Sequence, residues 1–208
     1  MKLYSTQLGM KKVRFRKAMV AITIFIIVTT TFAQEETGVV INGVTWATRN
    51  VDAVGTFAES PESPGKFYQW NSKDVRNVTV DTTASTITVW EAVNDPSPDG
   101  WRVPTRTEIK KLLDTTKVEY KWATESDING GHFTDKSTGE SIFLPTAKYP
   151  INFITPSNTE IVHGHYWSST DANGHNAFHL YFCNDRLNMR HSDYRFPFSI
   201  RPVKDIIH

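Results

Sequence analysis

The residue types able to do chemistry crowd the last third of the chain. All seven histidines lie at or beyond His132. His163 and His165 are two apart, so in a strand they share a face; His175 and His179 are four apart. A zinc site needs three or four ligands in ordered geometry, and no Cys or acid stands at a spacing that completes one. The imidazoles are therefore expected as surface or hydrogen-bonded groups. Ser168 and Ser169, in "YWSST", lack the Gly-x-Ser-x-Gly elbow of a serine nucleophile. They are expected to hydrogen-bond in a turn after a buried strand. The single cysteine, Cys183, ends an apolar run, where a thiol is ordinarily buried and inert. "DING" (127–130) and "DANG" (171–174) combine acid, amide and glycine. Those oxygens would suit calcium, but turns use the same residues and neither segment has the EF-hand spacing. No catalytic residue, metal ligand or cofactor is assigned.

One segment is built for contact rather than reaction. "NDRLNMRHSDY" (184–194) is polar, carries both charges and is rich in hydrogen-bonding groups. Recognition residues concentrate on loops held by a rigid scaffold. The candidate ligand-contacting residues are Asn184, Asp185, Arg186, Leu187 with its neighbour Asn188, Arg190, Asp193 and Tyr194. The aromatics Trp70, Trp90, Tyr120, Trp122, Tyr166, Trp167, Tyr181 and Tyr194 include possible stacking platforms, though most are expected in the core.

The elements that must position these residues read as mostly β. Asn42-Gly43 between apolar β-formers signals a hairpin. "AESPESPGKF" reads as loop, "KFYQWNS" as a short strand, and "NVTVDTTASTITVW" as extended. In "PSPDGWRVPTRTE", Pro104 favours extended chain before it. Thr105 and Glu108 then have capping-box spacing, and Ile109, Leu112 and Leu113 form one apolar helical face. Trp101 is expected in the core, and Arg102 is expected to pair with a carboxylate or with carbonyls. "KVEYKWATES" is left as extended or loop. "DINGGHFTDKSTGESIFLP" reads as turn, strand, turn, strand. "HYWSST", "NAFHLYF", "LNMRH" and "FSIRPV" each read as a strand. One helix among many strands gives a mixed α+β arrangement.

The N-terminus reads differently. Residues 1–33 hold six of the 23 Lys and Arg and no acid, with a 15-residue apolar run from Ala18 to Phe32 followed by Ala33. That describes a secretory signal, shorter than the ~20 residues of a membrane span. Cleavage is expected after Ala33, and the protein is expected to be exported to the periplasm, outer surface or medium. Residues 34–208 keep 17 basic against 22 acidic residues, a net charge of −5, which argues against nucleic acid as a partner. Their length suits a single domain. With one Cys, no intramolecular disulfide can form.

Several motifs in order resemble a known family. "INGVTWATRNV", "GKFYQW", "PDGWRVPTRTE", "INGGHFTDKSTGESIFLPTAKY", "GHYWSST" and "FSIRPVKD" resemble successive signatures of the Fibrobacter succinogenes major paralogous domain, found in exported proteins of Bacteroidota. The resemblance implies a C-type lectin-like fold: small antiparallel sheets, one or two short helices and long loops that carry binding. The segments 118–134, 171–176 and 184–194 would be those loops. It implies a non-catalytic secreted or cell-surface module recognising a glycan or a surface protein. The lectin calcium motifs E-P-N and Q-P-D are absent, and "FCND" only partly resembles W-N-D. The alternatives are an enzyme of the formylglycine-generating type, which needs a pair of thiols, or a purely structural surface protein. The family often has Cys where this chain has Ser97 and Pro202, which implies one lost bridge and neighbouring positions for the two. A bridge of that loop length contributes ~3–5 kcal/mol, so other contacts must replace it. Lys148 stands where the family tends to have glycine.

Overall fold

The Asn-Gly pair turns the chain as its residue types require. In the computed structural model, which describes residues 36–73, 88–148 and 162–205, Asn42 and Gly43 take φ of 46° and 70°. Two left-handed residues make a type I′ turn, whose twist matches the flanking strands. It joins β1 (Val39–Ile41) to β2 (Val44–Trp46). β3 (Trp101–Arg102) follows a 3-10 turn at Ala92–Asn94, and then comes the helix α1 (Arg106–Leu112). β4 (Val118–Glu125), β5 (Ile128–Asp135) and β6 (Ser141–Pro145) form a three-stranded meander. β7 (Ala147–Lys148), β8 (Val162–Asp171), β9 (Asn176–Cys183) and β10 (Arg186–Asp193) form a sheet in the order β10-β9-β8-β7. β11 (Val203–Lys204) closes the first sheet as β1-β2-β11-β3. All these pairings are antiparallel. Small antiparallel sheets with one α-helix among the described residues make an α+β fold. No described helix is long and apolar enough to cross a membrane.

The helix start follows its spacing. The Thr105 hydroxyl accepts from the Glu108 N–H, and the Glu108 carboxylate accepts from the Thr105 N–H at 2.8 Å. The same carboxylate takes a bidentate pair from Arg102 at 2.9 and 2.7 Å. Burial raises the Glu108 pKa, but these bonds outweigh it and hold the carboxyl below its usual value. Ile109 and Leu112 point into the core. Trp101 is 8% exposed, with Phe57 edge-on at 5.7 Å and the Lys204 ammonium 4.8 Å from its ring. Thr105→Ala is expected to lower stability by about 1 kcal/mol, read as a shift of the urea midpoint at constant slope.

Two apolar clusters fill the interior. One joins Ile41, Trp46, Ile109, Leu112, Phe133 and Phe182. The other includes Tyr68, Trp70, Val103, Trp167, Phe198 and Ile200. A polar hub ties distant segments together. Arg201 is 1% exposed. Its guanidinium donates to Asn50 Oδ1 at 2.7 Å, to the carbonyls of Ala47 at 3.1 Å and Phe143 at 3.0 Å, and to the Thr48 carbonyl. Asn50 Nδ2 donates onward to the Pro64 carbonyl and the Tyr166 hydroxyl, and Tyr166 donates to the Pro145 carbonyl at 2.6 Å.

Several expectations change in detail. The segment 118–134, expected as a long loop, is the hairpin of β4 and β5, turned by Ser126 and Asp127 at φ of 46° and 64°. Val118, Tyr120 and Trp122 alternate inward against exposed Glu119 and Lys121, the period of a strand. The segment 184–194 is likewise mostly strand β10 and not a loop. "KFYQWNS" supplies only a bridge from Tyr68 to Phe198, and "FSIRPV" only bridges and the start of β11. Lys148 lies in β7, paired with Val162. Asp95 accepts from the N–H of Ser97 at 2.8 Å and of Val103 at 2.9 Å. Val103 directly follows β3, whose Arg102 pairs with Val203, so one carboxylate ties the Ser97 loop to the end of that strand. The segment 1–33 and most of "NVTVDTTASTITVW" lie outside the described residues.

Candidate functional site

β9 lies between β8 and β10, and pleating sorts the side chains of all three strands onto two faces. The rows Gly164↔Phe182↔Leu187 and Tyr166↔Leu180↔Met189 face the first core. Only glycine fits at 164, since a Cβ there would stand 2.1 Å from the Phe182 ring. The alternate rows are His165↔Tyr181↔Asn188 and Trp167↔His179↔Arg190. His163, Cys183 and Arg186 continue that second face by the same period of two.

Half of this face is roofed and half is open. Phe198 covers it at one end, with its ring centroid 4.7 Å from those of both His165 and His179 and 4.5 Å from that of Trp167. His179 is fully buried there, bonded through Nε2 to Ser192 Oγ at 3.0 Å and through Nδ1 to the Leu180 carbonyl at 3.2 Å. At the other end Arg186, Asn188 and Arg190 are exposed. The Arg190 guanidinium lies 3.5 Å from the Tyr181 ring centroid. That contact covers the phenol ring, which is 3% exposed. The Tyr181 hydroxyl reaches His163 Nε2 at 3.4 Å and Cys183 Sγ at 3.7 Å, and the thiol donates to Asp185 Oδ1 at 3.2 Å.

The charge on this face belongs to the arginines. Burial first, then the positive charges of Arg190 and Arg186, lower the His163 pKa. Burial also lowers that of His165, and pushes that of His179 down to about 4. Neutral imidazoles at pH 7 leave Arg186 and Arg190 as the face's cations. Burial and the Cys183 bond raise the Tyr181 pKa, which keeps its hydroxyl protonated.

The structure divides the residues expected to touch ligand. Asn184 and Asp185 form the two-residue turn between β9 and β10. Arg186, Asn188 and Arg190 share the open face. Leu187 sits on the opposite face, packed against the first core, which takes its side chain off the arginine face. Asp193 is paired with Arg195 at 2.7 Å. Tyr194 is buried, stacked on Trp70 at 4.3 Å with its hydroxyl donated to Asp171, so it serves packing. Its ring finds an apolar partner that a polar segment does not advertise. His163 and Tyr181, singled out separately as an imidazole and an aromatic, were not grouped with residues 184–194. The sequence carries their strands, but not the cross-strand register that joins them.

The structure also places three other constellations. Asp171 accepts from the Gly174 N–H at 2.8 Å, and Asn173 Oδ1 from the N–H groups of His175 and Asn176. "DANG" is thus an Asx-type turn. In "DING", Asp127 turns the β4–β5 hairpin and the rest belongs to β5. His132 bonds Glu125 at 2.7 Å and Ser141 at 3.2 Å. Acid, imidazole and hydroxyl stand in a row across β4, β5 and β6, with His132 on the central strand, the one paired on both sides.

Compared with known families, characterised proteins and solved structures, the chain gives no match.

Proposed function

We propose that this chain is an exported, non-catalytic binding module of C-type lectin-like type, kin to the Fibrobacter succinogenes major paralogous domain, recognising a glycan or a surface protein. One observation supports it above others: Arg186, Asn188 and Arg190 stand exposed in one row on a strand whose opposite face is locked into the core. A rigid row of donors binds without a large ordering penalty. A formylglycine-generating type of chemistry has less support, because it needs two thiols and Cys183 is the single one, buried and hydrogen-bonded.

The test measures binding of residues 34–208 to a glycan array and to separated surface proteins. The R186Q/N188A/R190Q variant is measured in parallel. The variant is expected to stay folded, losing the Arg190–Tyr181 contact, and to bind at least about ten-fold more weakly, since hydrogen bonds to charged groups contribute ~1.5–3 kcal/mol. Equal binding by both proteins would place recognition elsewhere on the molecule.

A further inference from the structure

The proposed recognition surface includes a sheet edge as well as a row of side chains. β10 is the outermost strand of its sheet, and among the described residues no strand pairs with its outer side. It matches β9 at all eight positions from Arg186↔Cys183 to Asp193↔Asn176, with no shift of register. The two-residue turn makes Cys183↔Arg186 the hydrogen-bonded closing pair. The backbone groups of Arg186, Asn188, Arg190 and Ser192 therefore face β9, and those of Leu187, Met189 and His191 face outward. Eight unbulged residues give an open edge of ~27 Å. Proteins commonly shorten, bulge or cover such edges.

The edge is cationic. Arg186 and Arg190 lie on one face, ~13 Å apart by strand rise, and His191 adds an exposed imidazole on the other. Asp193 is engaged by Arg195, while Asp185 lies 3.8 Å from Arg186. An antiparallel pairing with a second copy brings Arg190 opposite Arg190, or opposite Asn188 with Arg186 close by. Like charges directly opposite are unfavourable. An extended peptide with acids at alternate positions has the complementary pattern: its backbone meets the outward N–H and C=O groups, and its carboxylates fall on the arginine face. A glycan would use the arginines and leave the ladder groups unmet.

From these features we infer that β10 takes an extended acidic peptide as an added strand, held by its backbone and selected by Arg186 and Arg190. This rests on the reading that the β9–β10 hairpin is the recognition surface. The test uses fluorescence anisotropy with a seven-residue peptide alternating Glu with Val or Thr. Two comparison peptides carry Lys for Glu, or N-methyl groups on alternate amides. The acidic peptide is expected to bind, to lose at least ten-fold on R186Q/R190Q, and to weaken with salt. The Lys and N-methyl peptides are expected to bind at least ten-fold more weakly. Equal binding of the N-methyl peptide would show charge attraction without strand addition and overturn the inference. So would failure of the acidic peptide to bind at millimolar concentration. If the peptide fails while glycan or surface-protein binding still depends on Arg186 and Arg190, only strand addition falls. If neither depends on them, the recognition surface falls too.

Discussion

Arg201→Met is expected to destabilise the protein by at least about 3 kcal/mol, because several buried acceptors lose their donor at once and each costs ~1–3 kcal/mol. The reason is the acceptor set. The guanidinium sits 1% exposed and donates to the carbonyls of Ala47, Thr48 and Phe143 and to the Asn50 amide oxygen. None of these is a carboxylate. Burial pulls the Arg201 pKa down, to about 10, so it remains charged at neutral pH. Methionine fills the volume but orphans four acceptors, and each buried unsatisfied polar group costs ~1–3 kcal/mol. The acceptors come from the turn after β2, the loop leading to Tyr68, and β6. The substitution therefore loosens the joint between segments about 60 to 150 residues apart in sequence. Arg201→Lys is expected to fall between, because an ammonium lacks the planar fork. Urea denaturation measures all three, with Arg186→Gln as an exposed control. A midpoint for Arg201→Met within 1 kcal/mol of the parent would show that the hub contributes little.

Acid is expected to weaken the fold well before the carboxylates titrate. His179 has an unfolded pKa near ~6.5 and a folded one pushed down to about 4, chiefly by burial. Below the first value the unfolded chain binds a proton that the folded chain refuses. Stability present above pH ~6.5 is therefore lost as pH falls, until both states bind near pH 4. Linkage puts the loss from His179 alone at about 2 kcal/mol by pH 5. His163 and His165 are shifted the same way. A second limb follows at lower pH. Burial raises Glu36, but bonds from Thr48 and Arg49 outweigh it and lower its pKa; bonds from Ser137 and Asn42 hold Asp135 down at about 2. Those contributions are present above the ordinary carboxylate values and disappear below them. Urea midpoints at pH 7, 6 and 5 should fall in order, and His179→Gln should flatten that slope. An unchanged midpoint between pH 7 and 5 in the parent would contradict the buried neutral imidazoles.

What was legible in the sequence was local. Asn42-Gly43 requires a I′ turn because both residues tolerate positive φ. Thr105 and Glu108 require a helix start because each satisfies an N–H of the other's first turn. The strands at 141–145, 162–171 and 176–183 announced themselves by apolar runs or alternation. Such signals depend on neighbours within about four residues, so a chain carries them unfolded. β10 was legible too at its centre, where "LNMRH" reads as a strand because Leu187 and Met189 alternate with polar residues; the charge around it hid how far the strand extends.

Only tertiary structure decided the rest. Nothing local says that Tyr181 lies between His165 and Asn188, that Arg190 covers Tyr181, or that Tyr194 turns inward onto Trp70. Nothing in the residues around Arg201 marks it for burial, yet it is the most deeply buried charge among the described residues. The physical reason is common to all of them. Register between strands and satisfaction of a buried charge are set by groups far apart in the chain, which meet only after the backbone has closed. Sequence by itself thus determined the elements and the segment rich in donors. Packing determined that three of those donors form one exposed row beside an open sheet edge.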